Sequence, residues 1–131
     1  MIQKFRVWDI ETERFFYWKI SENPPTCLTG EYLEKHAEEY TGIKDRNGME
    51  IYEHDILRYI DPWGRKEVNH IEGVVYFGTD EYSVPAQGAN DYQNFHGWLI
   101  RTILSFSKPL TKDSCIEIAG NTHETPELME P

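Results

Sequence analysis

Between Tyr40 and Leu57 the chain reads Tyr-Thr-Gly-Ile-Lys-Asp-Arg-Asn-Gly-Met-Glu-Ile-Tyr-Glu-His-Asp-Ile-Leu, the densest local instruction in the sequence. Asp45 to Gly48 carries a turn signal, because Asn and Gly tolerate positive φ and an Asp side chain bonds back to the chain two residues on. Thr41-Gly42 makes a second bend just upstream. Ile51-Tyr52 and then Asp55-Ile56-Leu57 open an apolar, β-prone run with one acid set into it. Thr41, Gly42, Asp45, Gly48, Ile51, Tyr52 and Asp55 therefore form a structural motif, whose work is to turn corners and satisfy backbone polar groups.

The flanking chain continues in the same idiom. Lys4 to Asp9 and Phe15 to Ile20 are aromatic-rich and bracket the polar Ile10 to Arg14, which predicts a hairpin with Phe5 and Val7 on one face and Arg6 and Trp8 on the other. Asn23-Pro24-Pro25 breaks the chain, since proline cannot donate to a ladder. From Thr29, a cap residue, Tyr32, Leu33, His36, Ala37 and Tyr40 recur at helical spacing and predict a helix of about two to three turns ended by Thr41-Gly42. Strands are predicted over Asp55 to Ile60 and Lys66 to Phe77, joined by the turn Asp61 to Arg65, with Gly73 marking a bulge. Gly78 to Glu81 reads as a turn into Tyr82-Ser83-Val84, and Ala86 to Gly97 as a long loop, either functional or mobile. Trp98-Leu99-Ile100 and Thr102-Ile103-Leu104 resume an apolar run. Cys115 to Ile118 is a last strand, and Thr125-Pro126-Glu127 opens one helical turn. The pattern is that of a mainly β chain, with α+β as the alternative: a small barrel over residues 46–131 preceded by a hairpin and short helix over residues 1–45.

A chain of 131 residues with six Phe, eight Tyr and four Trp can bury a core made of rings. Acids outnumber bases 23 to 13, for a net charge of -10, a field that repels phosphate backbones and anionic membranes. Arg65-Lys66 is the longest basic cluster, a poor nucleic-acid footprint. Cys27 and Cys115 lack C-x-x-C spacing. They could meet as a disulfide, but two thiols in a reducing compartment is the plainer reading. Met1 to Phe16 is broken by charges and no apolar run approaches membrane length, so a soluble, cytoplasmic protein with no membrane contact is expected.

Three segments together resemble a known family. Thr41-Gly42-x-x-Asp45-x-x-Gly48-x-x-Ile51-Tyr52-Glu53-x-Asp55-Ile56 is similar to the signature of the YopX family of phage and prophage proteins. Phe5-Arg6-Val7-Trp8-Asp9 resembles the family's opening Phe-Arg-x-Trp-Asp. Ile118-Ala119-Gly120-Asn121 through Thr125-Pro126-Glu127-Leu128 resembles its closing Ile-Gly-Asn-x-x-Glu-Asn-Pro-Glu-Leu. The resemblance implies an SH3-type barrel for the C-terminal part, a bacterial host cell as the setting, and no activity. Two departures stand out: His54 replaces a Gly, which puts a positive-φ conformation there in question, and Thr125 replaces an Asn, one helix cap for another.

Chemical motifs are sparse. Asp45-Arg46-Asn47-Gly48 fails as a calcium loop, because the third ligand position is Met49 and Ile56 stands where the closing Glu belongs. His54 and Asp55 are neighbours in an extended segment and point to opposite faces, so Asp55 is expected to bond turn backbone while His54 faces solvent. His123-Glu124 reads as a turn. His36, on the apolar stripe of the helix, reads as a half-buried ring. His70, His96 and His123 have no ligand spacing, so a zinc site would have to be assembled by the fold alone. Neither a phosphate loop nor a nucleophile elbow is present. The expectation is a chain with no catalytic, cofactor or metal residues, not an enzyme, that binds a protein partner or copies of itself. Trp63, Tyr92, Phe95 and Trp98 are the candidate interaction surface. The alternative is a barrel that binds single-stranded DNA or RNA by stacking.

Overall fold

The computed structural model describes residues 3–22, 24, 29–83, 92–103 and 106–130, with the side chains of 80–83 and 92–95 left aside. Strands β1 (Lys4–Asp9) and β2 (Arg14–Lys19) form the N-terminal hairpin in register Lys4↔Lys19 to Asp9↔Arg14. Asp9 ties its turn, accepting from the Glu11 amide at 3.1 Å and the Thr12 hydroxyl at 2.7 Å. Ring pairs add cross-strand grip: Phe5 stacks on Trp18 and Trp8 meets Phe15 edge-on.

Helix α1 (Gly30–His36) starts where Thr29 accepts from the Tyr32 amide at 3.1 Å. It is shorter than the periodicity predicts. Glu38–Lys44 is instead strand β3, paired with β1 through Phe5↔Glu39 and Arg6↔Glu38. Pairing with β1 at Glu38 and Glu39, and of Tyr40 itself with Tyr52, takes Tyr40 out of the helical repeat, a tertiary override of local propensity. Across the Asp45–Gly48 turn, β3 pairs β4 (Glu50–Tyr52), completing a four-stranded sheet in the order β2-β1-β3-β4.

The second sheet contains β5 (Asp55–Tyr59), β6 (His70–Ser83), β7 (Tyr92–Arg101), β8 (Ser107–Pro109) and β9 (Ile116–Asn121), in the order β8-β7-β6-β5-β9. This antiparallel meander, whose last strand returns beside its first, is the curled half-barrel of an SH3-type arrangement, and the chain is mainly β. Short 3₁₀ turns at Lys66–Val68 and Pro126–Met129 complete the elements. Thr125 does not cap the second; its hydroxyl bonds the backbone of Asn121.

Two of the expected non-strand segments are strand. No turn interrupts Gly78 to Glu81, and Tyr92 to Gly97, expected as the end of a loop, pairs residue for residue with β6 from Ser83↔Tyr92 to Gly78↔Gly97. The backbone ladder with β6 is what makes them strand. Ala86 to Asp91, Cys27, Asn23 and Pro25 lie outside the described residues; Cys115 is a free thiol. Opposite Leu57 and Arg58 the register slips, leaving Glu72 as the extra residue beside Gly73, the bulge the sequence marks.

The core is Ile51, Leu57, Val75, Ile100, Leu110 and Ile116, with Ile43, Trp98 and Ile118 packed against it. Ile43 and Ile51 come from the first sheet and the others from the second sheet and the segment beside it. The line between residues 45 and 46 falls inside the β3–β4 turn, which itself docks on β9: the Arg46 amide donates to Ile116 O at 2.8 Å.

Candidate functional site

The signature residues work as backbone fasteners. Thr41 Oγ1 donates to Ile51 O at 2.8 Å and accepts from the Ile43 amide at 3.1 Å, holding the irregular stretch where Gly42 takes φ +85°. Asp45 accepts from the Asn47 and Met49 amides, both at 2.9 Å, and from the Ile118 amide of β9 at 3.0 Å. Gly48 (φ +79°) closes that turn. Ile51 and Tyr52 are buried. Tyr52-Glu53-His54-Asp55 then carries the chain from one sheet to the other, and His54 holds φ +70°. The histidine thus adopts the left-handed conformation that its replacement of a Gly put in question, at a strain of about 1 kcal/mol or more.

That strain sits at the edge of a buried charge network. Arg6, on β1, donates from Nε to Glu38 Oε1 at 2.7 Å and from Nη2 to Asp55 Oδ1 at 2.8 Å and to Glu53 O at 3.1 Å. Its guanidinium lies 4.1 Å from the Phe15 ring centre and 5.0 Å from that of Tyr52. Asp55 spends its second oxygen on the Tyr52 amide at 2.8 Å. Glu38, at the start of β3, receives His54 Nδ1 and His123 Nε2 on Oε2, each at 2.7 Å. Arg6, Glu38 and Asp55 are all buried, while the His54 and His123 side chains are 43% and 29% exposed. His123 is locked by stacking on Trp8 at 5.4 Å and by an edge contact with Phe15.

The electrostatics follow from these contacts. Burial works against ionising Glu38, but the His54 bond, the Arg6 charge and the His123 bond outweigh it and hold its carboxyl below the usual range. The bond to Glu38 raises His54 above its ordinary 6.5. Burial wins at Asp55 and Glu53, which both sit above the usual carboxyl values. A raised imidazole stabilises the fold fully below about pH 6.5 and loses that contribution as pH rises through its folded value. The stability gap between wild type and His54→Gly should therefore be more favourable to wild type at pH 5.5 than at pH 9. Solvent at this half-exposed ring limits the change to under about 1 kcal/mol. Equal urea-midpoint differences at the two pH values would contradict it.

The other sequence candidates are scattered. Trp63 is 79% exposed in the Asp61–Arg65 turn, under the Arg65 guanidinium. Trp98 packs against the core and Phe77. Tyr92 and Phe95 lie on the outer arm of β7, and their side chains are outside the described set. His54 does not simply face solvent, and the His123 turn brings its ring back onto Glu38. Glu38 was not among the sequence candidates, and Arg6 was noted only as part of a motif. The one available signal was Arg6 itself, a charge embedded between Phe5 and Val7 that needs a buried partner.

Beside this network a cleft of about 500 Å³ opens between β2 and the β3–β4 turn, β9 and the Asn121–Glu124 turn. Arg6 and Asp55 line its inner end; Phe15, Tyr17, Tyr52, Met49, Glu50 and Glu124 form its walls. Glu50 is ion-paired with Lys4.

No curated protein sequence matches this chain. The crystal structure of protein EF1440 from Enterococcus faecalis is similar across 99% of both chains at 18% identity, with a TM-score of 0.50, a likeness of fold. No helix among the described residues is long and apolar enough to cross a membrane. The profile described as YopX protein matches residues 4–130, nearly the whole length, and the chain belongs to the YopX family.

Proposed function

We propose that this chain is a non-enzymatic interaction module of a phage or prophage, acting in the bacterial cytoplasm, which docks a basic segment of a partner protein in the cleft between its two sheets. The observation that carries this reading is the cleft's chemistry. Its walls are the rings of Phe15, Tyr17 and Tyr52, with Tyr17 and Tyr52 edge-on at 5.5 Å, and carboxylates sit at its rim and inner end. Tyr17 and Met49 are 58% and 60% exposed, large apolar surface at the mouth. Arg6 already illustrates what these rings accept, a guanidinium against Phe15 and Tyr52. A Lys or Arg side chain entering from outside meets the same ring chemistry, and the net charge of -10 steers a cationic partner inward.

A labelled Lys/Arg-rich peptide followed by fluorescence anisotropy tests this. Binding is expected to weaken roughly tenfold in Tyr17→Ala and in high salt, and to be unchanged in Trp63→Ala. Equal affinity for an acidic peptide, or insensitivity to Tyr17→Ala, would overturn the assignment to this cleft. Salt-sensitive retention of single-stranded DNA or RNA in place of the peptide would favour the stacking barrel instead.

A further inference from the structure

We propose that Glu38, His54 and His123 form a binding site for one divalent transition-metal ion of the zinc type. The three residues come from the start of β3, the β4–β5 turn and the turn after β9, so only the folded chain assembles them. Glu38 Oε2, His54 Nδ1 and His123 Nε2 lie within 4.8 Å of one another. Two imidazoles and one carboxylate are a donor set that zinc accepts, leaving at least one position open to water or a further ligand.

The surroundings fit a built site. Arg6 holds Glu38 Oε1 at 2.7 Å, which leaves Oε2 as a single, aimed donor. Trp8 and Phe15 fix the His123 ring. His54 sustains a left-handed backbone that a Gly would hold without strain, and its reward is to place Nδ1 on this cluster. With the imidazoles neutral, Glu38, Asp55 and Arg6 sum to one negative charge, favourable to a cation. Both imidazoles are partly exposed, so an ion can enter.

An ion bonded to all three at about 2.0–2.1 Å needs donors about 3.3 Å apart in tetrahedral geometry. The present bonds to Oε2 are 2.7 Å. Binding therefore lengthens those contacts by about 0.6 Å and swings the rings together. The imidazole N–H groups that now face Glu38 must give way to lone pairs, by proton loss from a charged ring or by a change of tautomer in a neutral one. Protons leave only from the rings that are charged.

Titration of the purified chain with Zn²⁺ by calorimetry reads affinity and stoichiometry together. One equivalent per chain is expected. His54→Gly, which relieves the backbone, and His123→Gln should each weaken binding roughly a hundredfold, while His70→Ala leaves it unchanged. Absence of binding, or full affinity in the His54→Gly/His123→Gln double variant, would overturn the site. Co²⁺ added to wild type locates the ion without mutation. Paramagnetic broadening of the His54 and His123 ring protons supports the site, and broadening confined to His70 or His96 refutes it.

Discussion

Arg6→Met is expected to destabilise the protein by about 3–5 kcal/mol at pH 7, because it leaves two buried carboxylates without their shared counter-charge. Glu38 and Asp55 both take hydrogen bonds from the one guanidinium, at 2.7 and 2.8 Å, and both are almost completely buried. Met keeps an unbranched apolar stem in place of the Arg methylenes and removes the guanidinium, so most of the loss reports on charge and its hydrogen bonds. Two further observations separate this from a general packing defect. The deficit should shrink as pH falls toward 4, since a proton on either acid removes the uncompensated charge. Arg6→Lys should fall between the two, because an ammonium cannot reproduce the fork that serves two acids and the Glu53 carbonyl. Urea denaturation at the two pH values measures both, and a Met variant within about 1 kcal/mol of wild type at pH 7 would contradict the network's role.

Gly73→Ala should be comparably damaging, by about 3 kcal/mol or more, with a drop in Tm on the order of 10 °C. A Cβ on Gly73 would stand 2.1 Å from Arg101 O, 2.6 Å from Arg101 C and 2.9 Å from Thr102 Cα. All three atoms are backbone, so no rotamer change relieves the clash. Either the bulge opposite Leu57 and Arg58 or the β6–β7 ladder at Val74↔Arg101 must give. Gly30→Ala is the matched control: its Cβ meets nothing within 4 Å at the start of α1, and it should be neutral or slightly stabilising. Thermal unfolding followed by circular dichroism compares the pair, and similar midpoints for the two would refute the close approach.

The features legible in the amino-acid order are those whose cause is local. Asp45 and Gly48 make their turn with atoms two to four residues away, and Thr29 caps a helix three residues on. Each signal is complete within a short window. Tyr40 misleads for the converse reason. It continues the spacing of Tyr32 and His36, yet it pairs with Tyr52, and its neighbour Glu39 pairs with Phe5, more than thirty positions earlier. Tyr92 to Gly97 misleads in the same way, since polar composition says loop while the ladder with β6 says strand.

The candidate site suffers most from this distance. His123 meets Glu38 across 85 positions, and Arg6 meets Asp55 across 49. No spacing rule links them. His54 stands in the left-handed turn between β4 and β5 and not in an extended run, so strand alternation does not place it; it reaches Glu38 while Asp55 reaches Arg6. What alternation could not supply was the buried Glu38–Arg6 pair that joins them.

The pairing of β5 with β9 has a consequence for how the chain matures on the ribosome. One flank of Asp55–Tyr59 finds β6 soon after it emerges, but the other must wait for Ile116–Asn121. Until then the nascent protein carries an open strand edge rich in Ile and Leu, able to recruit any extended peptide nearby. Strong expression should therefore reward conditions that slow chance encounters between unfinished chains, such as low temperature or a holdase chaperone.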